Sequence, residues 1–293
     1  MDLTDFLKSS AKQVDEALDR FLPPAETEPS VLHEAMRYCV FSGGKKLRPI
    51  LCLAAAEACG GDLTKALPAA CSVELIHAYS LVHDDLPCMD DDDLRRGRPT
   101  CHKVYGEGIA VLCGDALLTA AFRSLADTAA TQRWKTSDFL IDLADASGSK
   151  QLIGGQVLDL QSEGKAIDHS QLVAIHRAKT AALLTCSVRL GAMTADATAE
   201  ALAQLTKFGQ ALGLAFQIID DILDLTQSTE VLGKTAGKDI KSNKATYPAL
   251  LGLDGARAEA EKITQHALNA LQPFGTQAHY LRALTEQLLQ RHA

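Results

Sequence analysis

Leu75-Ile76-His77-Ala78-Tyr79-Ser80-Leu81-Val82-His83-Asp84-Asp85-Leu86-Pro87-Cys88-Met89-Asp90 reads as an apolar helix that runs into a cluster of acids. Its apolar positions recur every three and four residues, which is the helical period, and the pattern extends back to Ala66. One long helix over 66–85 is predicted. Pro87 ends or distorts it, because the ring has no amide proton and crowds the preceding turn. Six carboxylates fall between Asp84 and Asp93. So much negative charge at the end of an apolar helix repels itself unless solvent or hard cations neutralise it.

Asp91 to Asp93 alone would read as a solvated acidic run. A second acidic cluster argues for more: Phe216-Gln217-Ile218-Ile219-Asp220-Asp221-Ile222-Leu223-Asp224-Leu225 is again apolar and helical. Asp220 and Asp224 are four apart and share a helix face, a spacing at which like charges destabilise a bare helix. Asp84 and Asp90 are six apart and converge only if the segment around Pro87 is bent. Magnesium suits such donors, since it takes oxygen ligands from few carboxylates and completes its shell with water and phosphate.

Outside the clusters the same period persists and β-branched alternation is scarce, so the fold class is all-α. Helices are predicted over 3–21, 30–41, 48–59, 66–85, 108–130, 136–162, 168–192, 196–226 and 245–253, with one or two more over 257–291; Pro23-Pro24, Gly43-Gly44 and Gly60-Gly61 supply stops. Long helices with short connections describe a bundle around a central cavity lined by inward side chains. The 293 residues are 47% hydrophobic and 23% charged, enough for a sizeable core. No Pro/Gly/Ser-rich linker or repeat divides them, so one domain over 1–293 is expected.

The formal charge is −8, and no basic run breaks the surface, which argues against nucleic acid. The first residues, Met1-Asp2-Leu3-Thr4-Asp5, carry acids where a targeting peptide carries bases, so a cytoplasmic location is expected. No uninterrupted apolar run approaches the ~18 residues of a membrane span. The eight cysteines include no C-x-x-C pair and sit mainly in helical apolar patterns, which reads as reduced core thiols, with Cys88 and Cys101 beside the acidic loop as exceptions.

Cations accompany the acids in short glycine-bearing segments: Gly43-Gly44-Lys45-Lys46-Leu47-Arg48-Pro49, Arg95-Arg96-Gly97-Arg98, Gly233-Lys234 and Asn243-Lys244. Each alone is an ordinary surface turn. With two acidic clusters they point to a phosphate ligand, since cations facing metal-bound anions are what a diphosphate site needs, Arg for forked contacts and Lys as a point charge.

These motifs, together with Gly155-Gln156, Asp159 and the segment His176 to Thr180, give the chain a resemblance to the trans-isoprenyl diphosphate synthases over nearly its whole length. Within that family it is most similar to the bacterial short-chain, farnesyl-forming type. The resemblance implies an isoprenoid-synthase helical bundle, usually a homodimer, acting on small diphosphate substrates. It implies three Mg²⁺ ions, for which Mn²⁺ substitutes, with Asp84 and Asp90 binding two and Asp220 the third, and Asp85, Asp221 and Asp224 in support. It further implies that Arg95, Lys179, Gln217, Lys234 and Lys244 contact the allylic diphosphate and that Thr180 lies beside the reacting carbon. Lys45, Arg48, His77 and Arg96 are then the isopentenyl diphosphate site. His77 by itself would read as an ordinary core or surface histidine.

The implied reaction is ionisation of an allylic diphosphate followed by attack of the isopentenyl double bond, with the released diphosphate accepting the proton. A class I terpene cyclase typically carries an Asn/Ser/Glu second motif and has no use for Lys45 and Arg48. A non-catalytic relative would have eroded motifs, and an EF-hand would need a glycine and terminal glutamate that Asp84 to Asp93 lacks. A longer-chain synthase, geranylgeranyl-forming for example, is the nearest competitor. Tyr79 bears on it: five residues upstream of Asp84, it lies about 7.5 Å down the helix. By itself Tyr79 reads as an ordinary helix-packing aromatic. The resemblance of this position to the farnesyl-forming type implies instead that its phenol floors the cavity and limits the product to fifteen carbons, with Ser80 or Ile76 as the alternative floor.

Overall fold

The computed structural model describes residues 2–226 and 245–289. Thirteen α-helices are present among them: α1 (Leu3–Phe21), α2 (Ser30–Val40), α3 (Leu47–Ala58), α4 (Leu63–Asp84), α5 (Cys101–Tyr105), α6 (Glu107–Ala126), α7 (Thr136–Ser147), α8 (Leu152–Ser162), α9 (His169–His176), α10 (Ala182–Thr194), α11 (Ala199–Thr226), α12 (Tyr247–Ala270) and α13 (His279–Leu289). The all-α expectation holds. The only sheet among the described residues is a small hairpin, β1 (Leu94–Arg95) against β2 (Arg98–Pro99).

The helices at the centre are apolar on all sides. From Leu183 to Thr194 only Arg189 of α10 is not fully buried, and α10 packs against α3, α4, α7 and α11. A helix without a polar face has no place at a surface. Alternation of charged and apolar residues instead marks α1, whose N-terminus is capped by the Asp2 carboxylate accepting from the Asp5 amide at 2.8 Å.

Several boundaries differ from the sequence expectation. The single helix predicted over 136–162 is two, α7 and α8, broken at Gly148 where the backbone is extended. The helix predicted over 168–192 is continuous in direction but contains a π turn at Arg177–Ala181 between α9 and α10. The helices predicted over 245–253 and from 257 onward are joined in α12, with a kink at Gly252. By length and composition α6 is long and apolar enough to cross a membrane, with a mean hydropathy of 1.6, although Asp115 and Arg123 interrupt its apolar run. Its buried residues pack along α4.

Both acidic clusters lie at the C-terminal ends of long helices, α4 and α11. The helix dipole places partial negative charge there. Carboxylates at such ends are therefore disfavoured twice, by each other and by the backbone, and the need for cations is greater than sequence spacing alone suggests.

Candidate active site

Backbone hydrogen bonding returns Asp90 to Asp84. The last carbonyls of a helix have no partner within it, and here the acidic loop supplies them: Asp90 N–H donates to Asp84 O at 2.9 Å, Asp91 N–H to Leu86 O at 3.1 Å and Asp92 N–H to Asp85 O at 3.2 Å. The loop folds over the end of α4, and both Asp84 and Asp90 line one cleft of about 260 Å³. Its other walls carry Asp220, Asp221 and Asp224 from α11, Arg95 from β1, Lys179 from the π turn, Asp159 from α8 and Gln217. The convergence expected from sequence is present.

Two buried carboxylates are held by protein donors, Asp85 beside this cleft and Asp221 in its lining. Arg95 Nε donates to both oxygens of Asp85, at 2.7 and 2.9 Å, and burial still holds the Asp85 carboxyl above its usual range. Asp221, 5% exposed, accepts from Gln217 Nε2 at 3.0 Å and from the Tyr247 amide at 3.0 Å, with His176 Nε2 at 3.4 Å. Both are thus held by protein donors and shape the site. Burial, with Asp90 and Asp85 adding repulsion, pushes Asp84 up to about 6 against the pull of Lys179. A half-buried carboxylate with oxygen-bearing neighbours on two helix ends fits a hard divalent cation.

The π turn sets the opposite wall. One extra residue per turn rotates the side chains that follow, and such turns often occur at functional positions. Close approach of two glycines pins it: a Cβ on Gly155 of α8 would lie 2.3 Å from the Lys179 backbone nitrogen, and one on Gly213 of α11 would lie 2.4 Å from Ala181 Cα. Lys179 Nζ donates to Asp159 Oδ2 at 2.6 Å. Thr180 Oγ1 donates to Gln217 Oε1 at 2.8 Å. With its proton given to Gln217, the Thr180 hydroxyl keeps lone pairs for a positive centre.

A second, larger cleft of about 630 Å³ adjoins the first and has the opposite character, with Lys45, Arg48, His77 and Arg96 in its lining beside Leu212, Phe216 and Leu288. Asp220 lines both. Arg95 and Arg96, adjacent in sequence, are sent to different clefts by the two-residue turn of the hairpin. Arg96 and Gly97 have φ of 54° and 74°, the left-handed pair that joins twisted strands. Arg96 is strained there and is held by a hydrogen bond to the Gly43 carbonyl. Burial brings Arg48 down to about 10 despite Glu74. Burial and the charges of Arg48, Arg96 and Arg95 hold the His77 imidazole well below its ordinary value, so it is neutral.

The buried Glu74 went unrecognised in the sequence. It meets Lys46 Nζ at 3.2 Å and lines the basic cleft, where it offsets the packed cations. Its signal was an acid inside the otherwise apolar turn before His77. The amide of Tyr247 as an Asp221 partner left no sequence signal. Ser80 donates to the His77 carbonyl at 2.9 Å. Tyr79, 5% exposed, stacks edge-on against His83 with ring centroids 5.8 Å apart, and its hydroxyl has no partner; it is not among the lining residues of the acidic cleft. Lys234 and Lys244 lie outside the described residues.

Residues 29–286 match the polyprenyl synthetase family model. The chain is 47% identical over 283 residues to the large subunit 1 of the chloroplastic heterodimeric geranylgeranyl pyrophosphate synthase of Arabidopsis thaliana, covering 93% of this chain and 75% of that one. Among solved structures it is similar to an FPP/GFPP synthase of Zymomonas mobilis (35% identity, TM-score 0.85, 98% of both chains). It is also similar to a Helicobacter pylori geranyltransferase complexed with magnesium and isoprenyl diphosphate (33% identity, TM-score 0.87, 99% of this chain and 98% of that one). The chain belongs to the polyprenyl synthetase family, the trans-isoprenyl diphosphate synthases, and is a prenyltransferase.

Proposed function

We propose that the chain is a farnesyl diphosphate synthase that condenses isopentenyl diphosphate with dimethylallyl or geranyl diphosphate. The observation that carries this reading is the pair of adjoining clefts, one acidic and one basic, that share Asp220. Two diphosphates with different fates need two such sites.

The allylic diphosphate belongs in the acidic cleft. Asp84 and Asp90 on one side and Asp220 on the other would hold Mg²⁺, three ions by family resemblance, with Asp224 in support and Mn²⁺ as a substitute. When bound, magnesium neutralises the diphosphate and stabilises it as a leaving group. Arg95 and Lys179 add fixed positive charge, as do Lys234 and Lys244 on the sequence reading. Thr180 Oγ1, its proton committed to Gln217, faces the allylic carbon as positive charge develops, together with the Lys179 carbonyl. In the basic cleft Lys45, Arg48 and Arg96 retain the isopentenyl diphosphate by direct contact, and neutral His77 donates without adding repulsion. Departing diphosphate is the base that takes the proton, so no protein dyad is required.

Tyr79 supports the fifteen-carbon product, as a buried phenol one turn above Ile76 on the helix that ends at Asp84. The geranylgeranyl reading has its own support in the names of the plant relatives. A homodimer, cytoplasmic, with one catalytic domain per chain, completes the proposal. Exposed apolar side chains such as Val111 and Leu112 of α6 and Ile141 of α7 are available for that contact. Incubation with labelled isopentenyl diphosphate and either allylic primer tests the function. Fifteen-carbon product supports it, twenty-carbon product selects the second reading, and no new carbon chain sinks both.

A further inference from the structure

Three cysteines from three separate elements meet on the flank of the hairpin. The sulfurs of Cys39 at the end of α2, Cys101 at the start of α5 and Cys113 in α6 all lie within 4.8 Å of one another. Cys101 and Cys113 are buried and Cys39 is half-buried. We propose that Cys39, Cys101 and Cys113 form a three-thiolate site for a thiophilic d¹⁰ cation, Zn²⁺ or Cu⁺, which clamps α2 to α5 and α6.

The number of sulfurs favours a metal over a disulfide. A disulfide joins two and needs an oxidant, and the third sulfur would be idle. A soft cation uses all three, and soft thiolates select Zn²⁺ and Cu⁺ over Mg²⁺. Ligation also requires only modest movement, since two sulfurs bound to one ion at about 2.3 Å each lie well under twice that distance apart. Access is through Cys39. It and Cys101 line a small cavity of about 40 Å³, beside Arg98, Pro99 and Thr100. That is room for one water. No fourth His, Cys or carboxylate ligand joins the cluster among the described residues. Zn²⁺ would complete four-coordination with that water, whereas Cu⁺ needs no more than the three sulfurs.

The cluster is also primed chemically. The neighbouring Cys113 and Cys39 thiols pull Cys101 below the ordinary thiol range, which favours the ligating thiolate form. Cys101 in turn raises the thiols of Cys39 and Cys113, as does their burial. Uptake of an ion by thiolates therefore releases protons. Cys101 follows directly on the segment that carries Arg95, Arg96 and Thr100, so the clamp would fix the base of the hairpin. The inference does not depend on the product assigned to the enzyme.

The test uses the full-length reduced chain with Cys88→Ser, to remove the exposed thiol, and excess Mg²⁺ to occupy the carboxylates. Cd²⁺ serves as the spectroscopic stand-in for Zn²⁺, and Cu⁺ is titrated separately against a competing chelator. One ion per chain, a thiolate-to-metal ultraviolet band, release of protons on binding and a higher Tm are expected. Tight Zn²⁺ and Cd²⁺ uptake with weak Cu⁺ assigns the four-coordinate form, and the reverse assigns the trigonal one. Cys39→Ser, Cys101→Ser and Cys113→Ser should each lower affinity by more than about a hundredfold, more than loss of an outer partner does. Cys52→Ser should leave it unchanged. If the buried variants lose helicity by circular dichroism, half-buried Cys39→Ala alone decides. Absence of the band, or a band that survives Cys39→Ala, overturns the proposal, as would a Cys39–Cys101 disulfide forming with glutathione disulfide in a chain that takes up no ion.

Discussion

The acidic and basic clefts sit side by side, share Asp220, and differ in how they are built. Short carboxylates on rigid helix ends make the first, so its charge is fixed in place and surplus. Long cationic side chains make the second, from a glycine-bearing segment before α3, from α3 itself and from the turn of a hairpin. On the proposed mechanism the difference follows from what each diphosphate must do. One must leave, which calls for charge that can be screened by mobile ions; the other must stay, which direct Lys and Arg contacts achieve. Residues adjacent in sequence, Arg95 and Arg96, serve opposite clefts because the backbone between them turns.

Removing a carboxylate from the acidic side should have the largest effect. Asp84→Ala and Asp220→Ala are each expected to reduce turnover by orders of magnitude, and excess EDTA to abolish it. Loss of less than about tenfold at both positions, roughly 1.4 kcal/mol, contradicts the metal roles. Asp220 sharpens the comparison further, since it lines both clefts. Its substitution should raise KM for both substrates, while Asp84→Ala should spare the isopentenyl side.

Next in size is the separation of the two substrates. Arg48→Ala should raise KM for isopentenyl diphosphate by about tenfold or more, with the allylic KM nearly unchanged, and Lys179→Ala should do the reverse. Equal changes in both constants would mean that the clefts are not separate sites. Steady-state kinetics with each substrate varied in turn decides it.

Tyr79→Ala probes the buried part of α4 that leads to the acidic cleft. It should shift product from fifteen to twenty or more carbons with metal dependence intact, at a stability cost of about 3 kcal/mol for a buried ring. Chromatography of the products reads this directly. A folded, active variant with unchanged product places the floor at another residue, with Ser80 and Ile76 the next to change.

The smallest effect concerns pH. His77 is held neutral by burial and by the cations around it, while an unfolded imidazole takes up a proton near pH 6.5. Below that value the unfolded state binds more protons, so the contribution of this residue to stability falls as pH drops. Urea midpoints between about pH 7.5 and pH 6 should decline less in His77→Gln than in the parent chain. Identical slopes would mean that the basic cleft does not depress the imidazole.

Much of this was legible in the sequence because it depends on local period and on residue type. Apolar recurrence at three and four residues identified the helices, and the four-residue spacing of Asp220 and Asp224 placed them on one face. The π turn at Arg177–Ala181 was not legible, since one extra residue per turn hardly disturbs the hydrophobic pattern. Nor was the break at Gly148, which lies between two helical patterns that read as one. The buried pairing of Glu74 with Lys46 joins the loop before α3 to the middle of α4, and no sequence spacing records it.

What the sequence determined by itself was the class of fold, the two acidic clusters and the phosphate ligand they point to, all of which follow from side-chain type and helical repeat. Tertiary structure alone decided that Asp90 folds back onto Asp84 through backbone hydrogen bonds, and that Asp85 and Asp221 are held by protein donors. It also decided that Arg95 and Arg96 part company, and that Cys39, Cys101 and Cys113 meet. Each of these depends on contacts between segments far apart in the chain or on the turn of a loop, where geometry and not periodicity fixes which groups come together.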